Sequence, residues 1–461
     1  MTIRNISLNS ALLPDGWHND VSVELDDGGN IVALQHGSAD GSVPKVDGFA
    51  VPAVANVHSH AHQRAMTGLA EVSGPGTDSF WTWREVMYGF AGKMGPDELE
   101  AIAAQLYVET LKSGSSIIGE FQYLHHQPDG TPYDETAEMS LRCLSAAETA
   151  GIAITILPTL YNYGGFGGQP STDGQRRFVN DAGRYLGILE TLSKVSTGHP
   201  LRQIGISPHS LRAVTKELLE EVITGLDDLD DAAPIHIHVA EQIKEVIDCI
   251  AWSGGARPVE YLLSEFDVDA RWCAIHATHM NDAETNAMAR LECTAGLCPT
   301  TEANLGDGTF NAGRFLEAGG VIAIGSDSHI TVSPAEDLRQ LEYSQRLKYQ
   351  ARNVLAGGPE QSTGRTLFEA AASGGATAMA QNVGTIEVGK RFDVAILDPD
   401  HPALIGRTGD QVLDSWIFSG GNACVRDVYV AGKKVVDERR HIREDEILAN
   451  FRATIARLQK D

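Results

Sequence analysis

Val51–His60 reads VPAVANVHSH. An apolar run that leads into two histidines one residue apart is a strand with chemistry at its end. Side chains on a strand alternate with period two, so His58 and His60 share a face. Two imidazoles on one face suit a divalent metal. Taken alone, the pair reads equally well as two polar residues closing a strand, so the rest of the chain has to decide.

The same texture recurs. Short apolar runs at Ser116–Phe121, Ala153–Leu157, Ile204–Ser207, Ile235–Val239, Cys273–His276, Leu297–Pro299 and Val321–Gly325 alternate with longer amphipathic stretches, among them Pro96–Lys112, Asp134–Thr149 and Ala335–Gln350. Gly95-Pro96-Asp97 has the residues of a helix start. Strand–helix alternation implies parallel strands joined by right-handed crossovers. With Val51–Val57 the runs number eight, the count of a (β/α)₈ TIM barrel. An open doubly wound sheet is the alternative. It is disfavoured because reactive polar residues follow several different strands, as they do on a barrel's C-terminal rim.

Both chain ends differ from this. Ile3–Leu8, Val21–Leu25 and Ile31–Gln35 alternate and are separated by turn clusters such as Asp26–Asn30, and the texture returns in Asp393–Asp398 and Val425–Val436. The expectation is an α/β protein: a barrel over 53–384 and a small β-sandwich domain formed from both chain ends, 1–52 and 385–461.

Bulk composition narrows the function classes. Of 461 residues, 42% are hydrophobic and 21% charged, as in soluble globular proteins. No apolar run reaches the length of a membrane span. Met1–Trp17 lacks the basic region and apolar core of a secretory signal. Six scattered cysteines without a CxxC pair read as free thiols, so a cytoplasmic location is expected. A formal charge of −26 repels nucleic acid and anionic membranes but says little about a substrate, and reads most simply as a solvated surface.

Three further strand ends carry reactive residues. His236–Glu241 (HIHVAE) offers His238 with Glu241 three residues on, Trp272–His279 (WCAIHATH) offers His276, and Val321–His329 (VIAIGSDSH) offers Asp327. Each has an innocent reading: a helix cap for Asp327, a surface acid for Glu241, a satisfied core histidine for His276. Their joint occurrence carries the weight, because on a barrel four strand ends point at one place.

The set HxH, HxxE, H and SD resembles the amidohydrolase superfamily in its single-metal deaminase branch, and Asn382–Asp398 (NVGTIEVGKRFDVAILD) resembles the return from its barrel to its small β domain. The resemblance implies metal ligands His58, His60, His238 and Asp327. It implies that Asp327 takes a proton from the attacking water, Glu241 shuttles protons, and His276 orients the water. Binuclear branches carry a bridging carboxylated lysine on a central strand; Ile204–Ser210 has none, so one divalent metal per chain is expected, Zn²⁺ first, with Fe²⁺ compatible.

The loops are more specific. His58–Glu71 (HSHAHQRAMTGLAE), Phe80–Tyr88 (FWTWREVMY) and Gly119–His126 (GEFQYLHH) resemble the formimidoylglutamate deiminase family. That implies hydrolysis of N-formimidoyl-L-glutamate to N-formyl-L-glutamate and ammonia, in histidine degradation. His62 departs from the family, which more often has an aromatic such as Phe there. A substrate with two carboxylates calls for arginine forks and fixed donors. Arg84, Tyr123, His209 and Arg212 sit on three loops and are expected to clamp the glutamate end, with Gln63 on the formimino or α-carboxylate side. Arg84 could instead pair with an acidic neighbour, and Tyr123 could pack under a helix.

A second reading is a deaminase of a purine, pterin or similar ring, which would need stacking aromatics and fewer arginines. A third, a non-enzymatic scaffold, conflicts with the intact ligand set. Trp81 and Trp83 are expected to pack a lid. Tyr163–Gly168 (YGGFGG) lacks the GK[ST] ending of a phosphate loop and reads as a cover over the site. Cys273 and Cys298 read as core, and His279 and His329 as rim residues outside the ligand set. His236 shares a face with His238 and is its closest competitor. A homodimer is expected by analogy.

Overall fold

A computed structural model of the protein describes residues 4–37, 43–72 and 80–460. Eight barrel strands follow one another in sequence: β1 Val54–Ser59, β2 Ser115–Gln122, β3 Ala153–Leu160, β4 Arg202–Ile204, β5 Ile235–Val239, β6 Trp272–His276, β7 Thr294–Leu297 and β8 Ile322–Ile324. All pair in parallel with their neighbours, and β8 returns to β1 at Ile324 and Asn56. The bridge between Ile206 and Ile235 joins the β4 segment to β5 and closes the ring. Parallel strands with helices outside are covered on both faces, and every residue of β1, β2, β3, β5 and β6 is buried.

Two of the expected runs are drawn differently. Val51–Val57 is divided between two sheets: Lys45–Pro52 belongs to the terminal sheet and β1 starts at Val54. The hydrogen bonds show the switch, since Ala53 donates to the Asp393 carbonyl (3.0 Å) while Val54 donates to that of Gly114 (3.3 Å). Leu297–Pro299 ends a strand rather than forming one. The strand is Thr294–Leu297, and Pro299 opens the helix Pro299–Leu305, where a missing N–H costs nothing. The helix start at Gly95 is borne out: Pro96–Lys112 is helical, and the Gly95 N–H donates to Glu98 at 3.1 Å.

Strands from both chain ends form a second sheet of eight, united where Lys45–Pro52 pairs antiparallel with Val394–Leu397. The first strand runs on past Leu8 to Leu13 and turns at Pro14-Asp15 into Gly16–Leu25. Gly16 takes φ +125° there, a conformation open to glycine alone. This sheet buries its own core, including Leu8, Val21, Val23, Phe392 and Ile396. Arg391 binds Asp393 through two bonds (2.9 and 2.7 Å) and reaches the Pro200 carbonyl (2.9 Å), which ties the sheet to the barrel. The last helix, Glu444–Leu458, lies on Pro96–Lys112 with pairs Lys112–Glu444 and Arg457–Glu98. Among the described residues no helix is long and apolar enough to cross a membrane.

Candidate active site

Where a barrel strand leaves its ladder, the next backbone groups must find other partners, and here the chain reverses sharply to supply them. Ala240, His276, Ala277, Asp327 and His329 all have φ between +47° and +67° without being glycine. Such residues cost on the order of 1–3 kcal/mol each and cluster at functional sites. They sit at the end of β6 or just past β5, β6 and β8. The Asp327 N–H donates to the His58 carbonyl (2.9 Å) and the Ala277 N–H to the Val239 carbonyl (3.1 Å), so the reversals are pinned. Gly325 is required by close approach: a Cβ there would lie 2.6 Å from the Cβ of His58.

These turns bring the expected residues together. His58 Nε2 lies 3.1 Å from His238 Nε2 and 3.5 Å from Asp327 Oδ1. His60 Nε2 lies 3.3 Å from the same carboxylate oxygen, and His276 Nε2 is 3.8 Å from Oδ2. All five side chains are buried. The outer nitrogens of two rings are committed to carbonyls: His60 Nδ1 donates to Phe121 (2.9 Å) and His238 Nδ1 to His209 (2.8 Å). That assignment leaves their Nε2 lone pairs aimed inward, the usual preparation of a metal-binding histidine. Burial, reinforced by neighbouring imidazoles, holds His58 and His238 well below the usual histidine range, so they stay neutral. Facing imidazole nitrogens around a carboxylate make a donor set that fits a divalent cation.

Acid–base groups flank the cluster. Glu241 is pushed up to about 7, chiefly by burial. Burial works against a charged His276, but Glu241, Glu302 and Asp327 outweigh it and hold the ring up at about 10. Above them opens a cavity of about 620 Å³ lined by His60, His238, Glu241, His276 and Asp327. Gln63, Arg84, Tyr123, His209 and Arg212 line the same cavity. The Tyr123 hydroxyl is 3.4 Å from His60 Nε2, and the buried Gln63 Oε1 has no hydrogen-bond partner among the described residues. Arg84 sits over the Tyr88 ring (5.5 Å) and Arg212 Nε lies 3.4 Å from Ser210 Oγ.

The remaining candidates fall elsewhere. His236 points away and bonds the Ala378 carbonyl at 2.8 Å. His279 bonds the Asp307 carbonyl (2.8 Å), and His329 supports the cluster from behind through Ser326 Oγ (2.9 Å) and the His60 N–H (3.2 Å). Cys273 and Cys298 are buried. Trp83, Gly164 and Gly165 line the cavity, and Phe166 stacks on Trp252 at 5.2 Å; the Trp81 side chain lies outside the described residues.

Sequence reasoning missed three buried acids. Glu120 accepts from Ser59 Oγ (2.7 Å) and Ala61 N–H (2.8 Å), Glu245 from the N–H groups of Ala240 and Glu241 (3.2 Å each), and Glu302 from Cys298 N–H (2.8 Å). Only Glu245 left a trace in the sequence, as a helical acid four residues after Glu241.

Comparison with known proteins agrees with this geometry. The chain is 49% identical over 439 residues to the formimidoylglutamate deiminase of Pseudomonas aeruginosa, covering 94% of this chain and 95% of that one. A 5-methylthioadenosine/S-adenosylhomocysteine deaminase of Haloarcula marismortui is 24% identical, covering 84% and 81%. Among solved structures, an amidohydrolase from Brucella melitensis superposes with TM-score 0.93 at 49% identity, covering 99% of this chain and 100% of that one. An adenosine deaminase from Xanthomonas campestris with bound zinc shares the fold at 21% identity, TM-score 0.81, covering 99% and 98%. The profile of the amidohydrolase family matches residues 49–435, barrel and imidazole–carboxylate cluster included, and the chain belongs to that family.

Proposed function

We propose that this protein is a metal-dependent deiminase that hydrolyses N-formimidoyl-L-glutamate to N-formyl-L-glutamate and ammonia, a step of histidine breakdown. The observation that carries the reading is one cavity with two kinds of group. The imidazole–carboxylate cluster with Glu241 lines it, Tyr123 and His209 stand beside that cluster, and Arg84 and Arg212 supply cationic groups to the same space. A dicarboxylate with an amidine at its far end needs both. The likeness to the Pseudomonas aeruginosa enzyme supports it. The two arginines favour it over a ring deaminase, whose substrate would bring no carboxylate.

His58, His60, His238 and Asp327 are the residues that would hold one divalent metal, zinc by its preference for this donor set. When bound, such an ion would acidify water and so supply a nucleophile for the amidine carbon. Asp327 accepts the proton released by the attacking water. His276, held charged, donates a hydrogen bond from Nε2 to the oxygen of the attacking water and orients it toward the amidine carbon. Glu241, still half protonated near pH 7, gives its proton to the departing nitrogen as the C–N bond breaks. The proton left on the added oxygen passes to the Glu241 carboxylate as the C=O bond forms, so the amidine carbon gains one oxygen and loses one nitrogen as ammonia. Arg84 and Arg212 bind the carboxylates and orient the amidine.

The test is ammonia release from N-formimidoyl-L-glutamate by the purified, metal-analysed protein. Turnover that disappears in His58→Ala and Asp327→Ala together with bound zinc is the expected result. A protein that carries metal but releases no ammonia from this substrate would sink the substrate and keep the family.

A further inference from the structure

The geometry points to Glu302 as the residue that positions His276 for the reaction proposed above, on which this inference rests. His276 is the last residue of β6 and carries φ +67°, so its backbone leaves the ladder in a left-handed turn. A ring on such a turn is not aimed by the ladder. Glu302 lies one strand over, in the helix Pro299–Leu305 that follows β7. Its Oε1 lies 3.3 Å from His276 Nδ1 and accepts the Cys298 N–H at 2.8 Å. Both side chains are buried, 1% and 6% exposed, so water does not compete for these bonds.

The helix that carries Glu302 is itself fixed. Thr301 Oγ1 donates to the Ser326 carbonyl (3.1 Å), and Thr300 N–H and Oγ1 donate to Asp337 (3.2 and 2.7 Å). The Glu302 carboxylate therefore stands on a rigid base joined to the strand that carries Asp327. Holding Nδ1 from behind turns Nε2 toward the cavity, where it faces Asp327. Glu302 does not line the cavity and acts only through His276. Outer partners of this kind set ring orientation, and losing them costs ~10–100-fold in activity.

Glu302→Ala and Glu302→Gln test the assignment, alone and combined with His276→Ala. The expected results are a fall in kcat of ~10–100-fold for Glu302→Ala with KM and zinc content unchanged, and substantial recovery in Glu302→Gln, whose amide oxygen still accepts from both donors. In the His276→Ala background, Glu302→Ala should add little. Crystals of the two single variants should show the His276 ring turned in the alanine form and held in the glutamine form. Additive losses in the double variant, a Gln form no better than Ala, or an unmoved ring in Glu302→Ala would overturn the assignment. If the unmodified protein does not turn over N-formimidoyl-L-glutamate, the substrate reading fails alone, because the ring orientation is read without substrate.

Discussion

Glu120 allows a sharp test of how burial and hydrogen bonding balance beside the metal cluster. Its carboxyl is fully buried on β2, and burial pushes it from 4.5 up to about 7, against the three donors Ala61 N–H, Ser59 Oγ and Tyr107 OH. The folded state thus holds a proton that the unfolded chain gives up near pH 4.5. A group raised on folding favours the folded state below its unfolded pKa and loses that contribution as pH rises through the folded value. For Glu120 the whole loss is about 3 kcal/mol, and about 2 kcal/mol of it falls between roughly pH 5.5 and 8. Glu120→Gln removes the titration but keeps the partners, because the amide oxygen can accept from Ala61 while its NH₂ donates to hydroxyls that rotate. Urea unfolding of protein and variant at the two pH values should therefore show the variant gaining about 2 kcal/mol on the parent as pH rises. Groups common to both cancel in this difference. Stability curves that run parallel across the range would show that Glu120 does not titrate there, and the balance drawn for this pocket would be wrong.

Three further outcomes follow from named contacts. Arg84→Met and Arg212→Met should each lower kcat/KM for N-formimidoyl-L-glutamate by ~30–1000-fold, the loss of charge-assisted bonds worth about 2–4 kcal/mol, with zinc content unchanged in elemental analysis; normal turnover in both would return the ring-deaminase reading. Gly325→Ala forces a methyl into His58, and because the opposing atoms are Cβ and backbone at 2.6–3.1 Å, the ligand itself must shift. Stability should fall by about 1–3 kcal/mol and the protein should be purified with markedly less zinc. His62 is buried with neither ring nitrogen hydrogen-bonded among the described residues. His62→Phe should stabilise the fold by about 1–2 kcal/mol, seen as a rise of about 1–2 °C in thermal midpoint with activity kept.

The barrel and the residues proposed to hold the metal were legible because both are written in short, local patterns. A buried strand is an apolar run, and a ligand is a His or Asp at its end, as at His58, His238 and Asp327. The two misdrawn runs fail for local reasons too. Nothing in VPAVANV marks where one sheet hands over to another, and Leu297-Cys298-Pro299 stays apolar through a strand end into a helix because both are buried. What could not be read were contacts made across the rim. Glu120 meets Ala61, and Glu302 meets His276, only because neighbouring strands pair in register; in the chain they are two among 62 acidic residues.

Those hidden acids explain how the site keeps its proposed metal ligands rigid. At the C-terminal rim the ladder stops, leaving N–H groups such as those of Ala61, Ala240, Glu241 and Cys298 to be satisfied in a buried place. A ligand's own lone pairs cannot do this, since they must stay free for the cation. A neighbouring carboxylate can, with two oxygens and four acceptor sites. The arrangement leaves acidic groups beneath the cavity, which attract a cation and repel the substrate's two carboxylates. The compensating charge must then stand on the other side: Arg84 lines the cavity from the helix Phe80–Ala91, not from a loop as its sequence suggested, and Arg212 from the turn before the helix Lys216–Asp227. Substrate orientation follows: the neutralised carboxylates are drawn to the arginines, and the cationic amidine is drawn down to the acids that act on it.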